Sequence, residues 1–362
     1  MPNVKFWSSQ RVFLTGHTGF KGSWTARWLS RLGASQTGFA LPPETQPSLH
    51  TQLGDMPGLT SVLGDIRDKA ALHSAVQACD PTIAIHMAAQ PLVRRSYREP
   101  AETYETNVIG TLNVLEALRK APNLRAVLVI TTDKVYRNDD SGIAFTEDAP
   151  LGGHDPYSSS KAACEEVVSC YRQSFYDAAG IALATARAGN VVGGGDWSED
   201  RLVPDIWRAM VRGESVKLRH PESVRPWQHV LDPVSGYLDY VHAMTTDRWP
   251  LLPRALNFAP AADDAMTVRE VTEKLGAVIG LDKPWEIAAG IHPVESKLLT
   301  LDASLARKSI GWLPQLTGRQ AMEWTAEWIR ATRNGFPALA AVDAQIEQYE
   351  ALLQLTNGDL AQ

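Results

Sequence analysis

The sequence predicts an α/β fold: a doubly wound parallel sheet followed by a smaller C-terminal α/β lobe. Three observations carry this expectation. Short runs of apolar and β-branched residues alternate with helical patterns through the first half of the chain. The first of these runs leads straight into a glycine-spaced turn and then a helix. Beyond Gly193-Gly194-Gly195 the alternation gives way to segments in which prolines recur, at Pro204, Pro221, Pro226 and Pro233.

Taken in order, Arg11–Thr15 (RVFLT) reads as a short buried strand. A helix pattern follows from about Gly19 to Leu32 and ends near Gly33. Ser35–Ala40 reads as a second strand, and another short strand precedes Gly64. Thr82–Met87 is a further strand, Val108–Arg119 has helical spacing, and Arg125–Thr131 (RAVLVIT) is again a buried strand. Tyr157–Asp177 reads as a long helix closed by Gly180, with Ile181–Ala188 as the strand after it. Strands flanked by helices imply parallel βαβ units covered on both faces. Later helices are expected at Thr267–Ile279, Arg319–Thr332 and Pro337–Leu355. The chain shows no internal repeat and no low-complexity tract.

Composition narrows the function classes. With 362 residues, 44% hydrophobic and 21% charged, the chain is neither disordered nor a fibrous rod. Its longest apolar runs, such as Ala126–Ile130, are too short to cross a bilayer, so no membrane association is expected. Met1-Pro2-Asn3-Val4-Lys5 lacks the apolar core of a secretory signal. A net charge of −6 and a pI near 5.9 speak against a nucleic-acid partner. Cys79, Cys164 and Cys170 form no CxxC pair, which suits a reducing, cytoplasmic compartment. The nine histidines include no HExxH, and no metal site is expected.

The first strand ends in Thr15-Gly16-His17-Thr18-Gly19-Phe20-Lys21-Gly22, a GxxGxxG spacing. Small residues here let backbone N–H groups approach a pyrophosphate, and the following helix N-terminus adds free donors and a favourable dipole. A dinucleotide-binding, Rossmann-type site is the reading. His17 is expected to shape the loop. The second strand ends Phe39-Ala40-Leu41-Pro42-Pro43, without the usual ribose-binding acid; Glu44 is the first one met. NAD and NADP are therefore not distinguished there. Asp65, in Gly64-Asp65-Ile66, either reaches the adenine edge or forms a surface turn.

Tyr157-Ser158-Ser159-Ser160-Lys161 places a phenol and an ammonium at i, i+4, on one helix face. A cation beside a phenol lowers its pKa and allows it to act as a general base. Thr131-Thr132-Asp133-Lys134 ends a buried strand, and strand C-termini are where α/β sites assemble. Trp197 and Trp227 read equally as pocket or core residues, and His229 is ambiguous.

These motifs, together with His86-Met87-Ala88-Ala89-Gln90, Tyr104 and Asn107, resemble the extended short-chain dehydrogenase/reductase family. Arg187–Trp197 (RAGNVVGGGDW) and Arg225–Pro233 (RPWQHVLDP) resemble its branch of sugar-nucleotide 4,6-dehydratases, most of all those acting on CDP-D-glucose. The resemblance covers the chain to about Trp328. It implies an NAD-binding domain over residues 1–188 carrying the catalytic residues, and a substrate lobe mainly over 189–362, with some segments returning to the first domain. It implies NAD contacts from Gly16, His17, Gly19, Phe20, Gly22, Asp65, Ile66, Ala88, Ala89, Asn107, Thr131, Tyr157 and Lys161. Tyr157 would take the C4 hydroxyl proton of the hexose, supported by Lys161, as a hydride leaves C4. Thr132 would bond the C4 oxygen, Asp133 would protonate the departing C6 hydroxyl, and the hydride would return to C6. Relatives acting on dTDP-glucose carry Glu where this chain has Lys134, so Lys134 is either the C5 base or an electrostatic aid. Gln90, Asn190, Arg201, Arg219 and Arg225 would hold the substrate, CDP-glucose or a related nucleotide sugar. The competing readings are a 4-epimerase, a 4,6-dehydratase of another nucleotide sugar, and a non-catalytic NAD-binding regulator. Relatives pair cofactor-domain helices, here Val108–Arg119 and Tyr157–Asp177, into a homodimer or homotetramer.

Overall fold

The structure, a computed structural model, describes residues 1–261, 265–281, 283, 285–289 and 299–359. Seven strands share one sheet: β1 (Arg11–Thr15), β2 (Ser35–Ala40), β3 (Leu59–Leu63), β4 (Ile83–His86), β5 (Ala126–Ile130), β6 (Ala182–Arg187) and β7 (Ala255–Asn257). They run parallel in the order β7-β6-β5-β4-β1-β2-β3. The order reverses between β1 and β4, which opens a crevice at their C-terminal ends.

The longer helices are α1 (Phe20–Arg31), α2 (Lys69–Cys79), α3 (Gly110–Leu118), α4 (Pro156–Tyr171), α5 (Leu202–Arg212), α6 (Leu231–Met244), α7 (Val268–Ile279), α8 (Gly318–Arg333) and α9 (Ala338–Asp359). Alternation along the strands sends side chains to two cores. On β5, Ala126, Leu128 and Ile130 join the cluster shared with α1, α6 and α8, while Val127 and Val129 join the one shared with α2 and α3. Both faces of the sheet are thus buried, as its apolar strands require.

The strand and helix pattern of the first half appears as expected, with two departures. The helix expected over Val108–Arg119 begins through a π-helical turn at Glu105–Ile109, and the one over Tyr157–Asp177 ends in another at Arg172–Tyr176. In the second half the sequence reading of proline needs correction. Pro204 and Pro233 stand in the first turns of α5 and α6, where a missing N–H costs no helical bond. Helix α6 packs on β5 and α1, and β7 pairs with β6, so these later segments complete the first sheet. The last helix is fastened back onto α1. Arg27 makes a bidentate contact with Asp343 (2.6 and 2.7 Å), Arg31 reaches Glu347, and the Trp28 indole donates to Glu350. No helix among the described residues is long and apolar enough to cross a membrane.

Candidate active site

The glycine turn lies at the crevice. Gly16 adopts φ +78°, and a Cβ there would stand 2.7 Å from the Ala88 nitrogen. A Cβ on Gly22 would collide with the Gly16 carbonyl oxygen. Both positions need glycine because backbone passes backbone there. Gly19 precedes α1 in extended conformation and caps it with no side chain. The first-turn N–H groups of this twelve-residue helix therefore face the crevice without a side-chain acceptor. That cradle fits the pyrophosphate of a dinucleotide. His17 is fully buried beneath it, bonded through Nε2 to Ser61 Oγ (2.7 Å), and its ring fills the space beside Gly38. Burial and the nearby His50 hold its pKa down to about 4.

The reacting groups stand where β5 and α4 meet. Asp155 caps α4 in a reciprocal pair with Ser158, and Pro156 occupies the first turn, so Tyr157 projects from the helix start. After β5 the backbone at Thr132 stays extended and then makes one tight turn over Asp133–Val135. Thr132 Oγ1 donates to Asp133 Oδ1 (2.8 Å), and Tyr157 lines the same cavity, close enough to Thr132 for that side chain to favour its phenolate. Asn190, held at φ +50°, offers its Nδ2 to Asp133 Oδ2 (3.5 Å). Asp133 fits only because residue 189 is glycine: a Cβ there would collide with its carboxyl carbon.

These groups line one cavity of about 410 Å³. Phe20, Lys21, Lys134, Arg201, Arg219, Arg225 and Trp227 line it as well. Arg201 Nη1 donates to Asp196 (2.8 Å), which aims the guanidinium across the cleft. The sequence reading passed over Lys21. Burial, with Arg201 and Lys161 nearby, pulls its ammonium down to about 8. A lysine inside a glycine turn, where α1 begins, was the available signal.

Several expected contacts are corrected. The Tyr157 pKa is raised, not lowered as its spacing to Lys161 suggests, and Lys161 is itself buried. Its Nζ donates to the Ile130 carbonyl (3.2 Å), and burial raises Tyr157 to about 12, against the lowering effects of Thr132 and Arg201. Gln90 is turned inward: Oε1 accepts from Leu92 N (2.6 Å) and Nε2 donates to Thr103. Asn107 spends its amide on the backbone of Gln90 and on Ser160 Oγ, fixing that loop to α4. The Thr131 hydroxyl donates to Glu165 (2.5 Å), away from the cavity. Asp65 takes the surface-turn alternative, bonded to the backbone and guanidinium of Arg67. Glu44 is held by Arg95 (3.0 Å). Ile66 packs under Gly110, and the Ala88 N–H bonds Thr15, with Ala89 beside it half-buried. Trp197 packs against Trp207 and Trp328, and His229 is buried between Trp24 and Trp324. No group of three or more His, Cys, Asp or Glu among the described residues could hold a metal ion.

Beneath the reacting groups lies a closed ionic network. Arg187 grips Glu165 through Nε and Nη2 (both 2.9 Å), and Thr185 donates to the same carboxylate (2.7 Å). Arg187 Nη1 continues to Tyr136 (2.7 Å), whose hydroxyl donates to Asn257. This ties α4, β5, β6 and β7 together directly under Thr132 and Tyr157.

The family model for GDP-mannose 4,6-dehydratase matches residues 13–325. CDP-glucose 4,6-dehydratase of Salmonella typhimurium (strain LT2) is 42% identical over 356 residues, covering 96% of this chain and 98% of that protein. Among solved structures, the epimerase Mth375 of Methanothermobacter thermautotrophicus superposes with a TM-score of 0.80 at 20% identity, over 91% of this chain and 94% of that one. The UDP-glucose 4-epimerase of Thermus thermophilus in complex with NAD gives 0.72 at 25% identity, over 87% and 97%. The chain belongs to the GDP-mannose 4,6-dehydratase family, of extended short-chain dehydrogenase/reductase type.

Proposed function

We propose that this member of the family is an NAD-dependent 4,6-dehydratase that converts CDP-D-glucose to CDP-4-dehydro-6-deoxy-D-glucose and water. The observation that carries the reading is that Thr132, Asp133 and Tyr157 line one cavity together with Arg201, Arg219 and Arg225. Asp133 as an acid for the C6 hydroxyl supports a dehydratase over a 4-epimerase, which has no elimination step. The 42% identity to a CDP-glucose 4,6-dehydratase over nearly the whole chain supports the choice of nucleotide.

The glycine turn from Gly16 to Gly22 and the start of α1 would hold the dinucleotide, with Tyr157 and Lys161 toward its reactive end. Bound there, it supplies a reversible hydride acceptor for a reaction that begins and ends without net oxidation. Tyr157 takes the C4 hydroxyl proton while Thr132 holds that oxygen. Oxidation at C4 acidifies C5–H, and Asp133 protonates the C6 hydroxyl as it leaves. Lys134, which lines the same cavity, would serve either as the base that takes the C5 proton and later returns it or as the cation that stabilises the charge developing at C5 and C4. Arginines suit the diphosphate because the guanidinium can bind it in two places at once. We place the protein in the cytoplasm, which suits its three unpaired thiols. We also propose a homodimer or homotetramer through α3 and α4, where Ile109 and Phe175 expose apolar surface beside those helices.

The test is incubation of the protein with NAD and CDP-, dTDP-, GDP- and UDP-hexoses. The expected product from CDP-glucose is lighter by one water and absorbs in alkaline ultraviolet light as a 4-keto-6-deoxy sugar. A product of unchanged mass would mean epimerisation, and no turnover would mean a binding module.

A further inference from the structure

Lys21 is a cation that the fold itself does not use. It is the second residue of α1, in Gly19-Phe20-Lys21-Gly22, and its half-buried side chain lines the cavity with Thr132, Asp133 and Asn190. The first turn of a helix carries the positive end of the dipole, so a lysine there is opposed by its own helix. No acidic residue stands in that turn to offset it. Other cations of the same cavity face a carboxylate. Arg201 holds Asp196 (2.8 Å), Arg94 holds Asp200 (2.6 Å), and Lys217 stands 3.8 Å from Glu286. The Lys21 ammonium makes no hydrogen bond or ion pair among the described residues. A charge held against its surroundings and left without a counter-ion calls for an anion that arrives with a ligand.

We propose that the Lys21 ammonium is a diphosphate clamp, binding a non-bridging oxygen of a ligand diphosphate. The inference rests on the reading of the protein as an NAD-dependent 4,6-dehydratase, whose two ligands both carry that group. The main chain of Lys21 belongs to the cradle at the start of α1, and its side chain to the cavity of Arg201, Arg219 and Arg225, so either diphosphate is chemically suited. A compact ammonium acts on phosphate as a point charge and leaves the remaining oxygens to backbone N–H groups or guanidinium forks. The charges that act on Lys21 fit this role. Arg201, ahead of α5, and Lys161, on α4, oppose its proton, while Asp133, after β5, favours it. With burial as the largest cause, the free ammonium is held at about 8. An arriving dianion raises that value. Near pH 8, therefore, about half of the unliganded Lys21 side chains are neutral, and binding makes them all charged.

Lys21→Met keeps the stem and removes the charge, and Lys21→Arg keeps a charge that does not titrate. Calorimetric binding of NAD to each variant is one arm of the test. Calorimetric binding of CDP-glucose is the other, in a Tyr157→Phe background so that the sugar is not consumed. In at least one arm the affinity of Lys21→Met should fall by about 10-fold or more, with Lys21→Arg near wild type. Loss in the NAD arm assigns the clamp to the dinucleotide, and loss in the CDP-glucose arm assigns it to the sugar nucleotide. Titrations near pH 8 in buffers of different ionisation enthalpy count the protons taken up. Wild type should take up about half a proton with the clamped ligand, and both variants should lose that uptake. Urea midpoints without ligand should be unchanged or higher in Lys21→Met, because an unpaired cation gives way to an apolar side chain. Unchanged affinities in both arms would overturn the clamp whatever the midpoint, while a product lighter by one water would leave the dehydratase reading standing. Failure of the wild type to release water from any nucleotide hexose would overturn that reading, and the two arms, which read binding, would still decide the clamp.

Discussion

Thr131 and Thr132 are neighbours in sequence and serve opposite halves of the molecule. Thr132 lines the cavity and donates its hydroxyl to Asp133, beside Tyr157. Thr131 faces the interior and donates to Glu165, whose carboxylate is also held by Thr185 and Arg187. Helix α4 repeats the contrast, with Tyr157 at its cavity-facing start and Glu165 two turns deeper. The difference is one of freedom. The upper layer needs donors and acceptors that a substrate can reach, so its hydrogen bonds within the protein are few. The lower layer has both Glu165 oxygens occupied and a guanidinium against them, which cross-links α4 to the neighbouring strand ends. Preorganisation of the first depends on the rigidity of the second.

The comparison breaks most sharply at Tyr157. Tyr157→Phe keeps the ring and the packing and removes only the proton acceptor. Steady-state turnover should fall by about 10²–10⁴-fold, with binding of NAD and nucleotide sugar by calorimetry nearly unchanged. Near-normal turnover would move the base elsewhere.

Glu165→Gln attacks the lower layer. It leaves the Arg187 charge buried without its partner, and breaking such a pair costs about 3–5 kcal/mol. A large drop in urea midpoint is expected, with turnover lost in proportion. The pair Glu165→Leu with Arg187→Met sharpens the point. Apolar replacement of both partners can restore most of the stability, yet the C-terminal ends of β5 and β6 would lose their tie. A stable but slow double variant is expected; one as fast as wild type would make the network a stability element alone.

Gly189→Ala tests the contact between the layers and the cavity. The added methyl would occupy the place of the Asp133 carboxyl, and overpacking of this kind costs about 1–3 kcal/mol. Asp133 should swing away from Thr132. The expected signature is a sugar oxidised at C4 that retains its C6 oxygen, read by mass spectrometry of the bound species. Unimpaired elimination would remove Asp133 from its role as the acid.

The upper layer and the glycine turn were legible in the sequence because each is local. GxxGxxG, Thr132–Lys134 and Tyr157…Lys161 each place their groups within a few residues, where helix or turn geometry fixes their relation. Asn190 is legible by resemblance, and Arg201, Arg219 and Arg225 as arginines suited to a diphosphate; all four line the cavity. The lower layer carries no such signal. Glu165 and Arg187 belong to different elements and meet only because β5 and β6 are adjacent in the sheet. Asn107, Gln90 and Thr131 were read as ligand contacts because they sit in family motifs, and the motifs serve the scaffold at those positions. Pro204 and Pro233 misled because first-turn prolines and loop prolines look alike in one dimension.

A last effect concerns pH and the buried histidines outside both layers. His17 is held at about 4, and His86 and His229 at about 3, in each case chiefly by burial. His86 is pinned as a neutral ring between Thr15 Oγ1 (2.6 Å) and Thr111 Oγ1 (2.9 Å). Near pH 6.5 the unfolded chain begins to protonate these imidazoles, while the folded chain refuses the proton until pH 4 or 3. Their stabilising contribution is therefore complete above about pH 6.5 and is lost as the pH falls toward those folded values. Each contributes a slope of about 1.4 kcal/mol per pH unit within that window. Urea midpoints measured from about pH 7 to about pH 4.5 should fall steadily, and more gently in His229→Phe, whose flat ring can take the place between the two tryptophans without titrating. Calorimetry on the folded protein over the same range should show no uptake of protons by these rings. An equal slope in His229→Phe would mean that His229 is already protonated in the fold and that its place between Trp24 and Trp324 is a cation site.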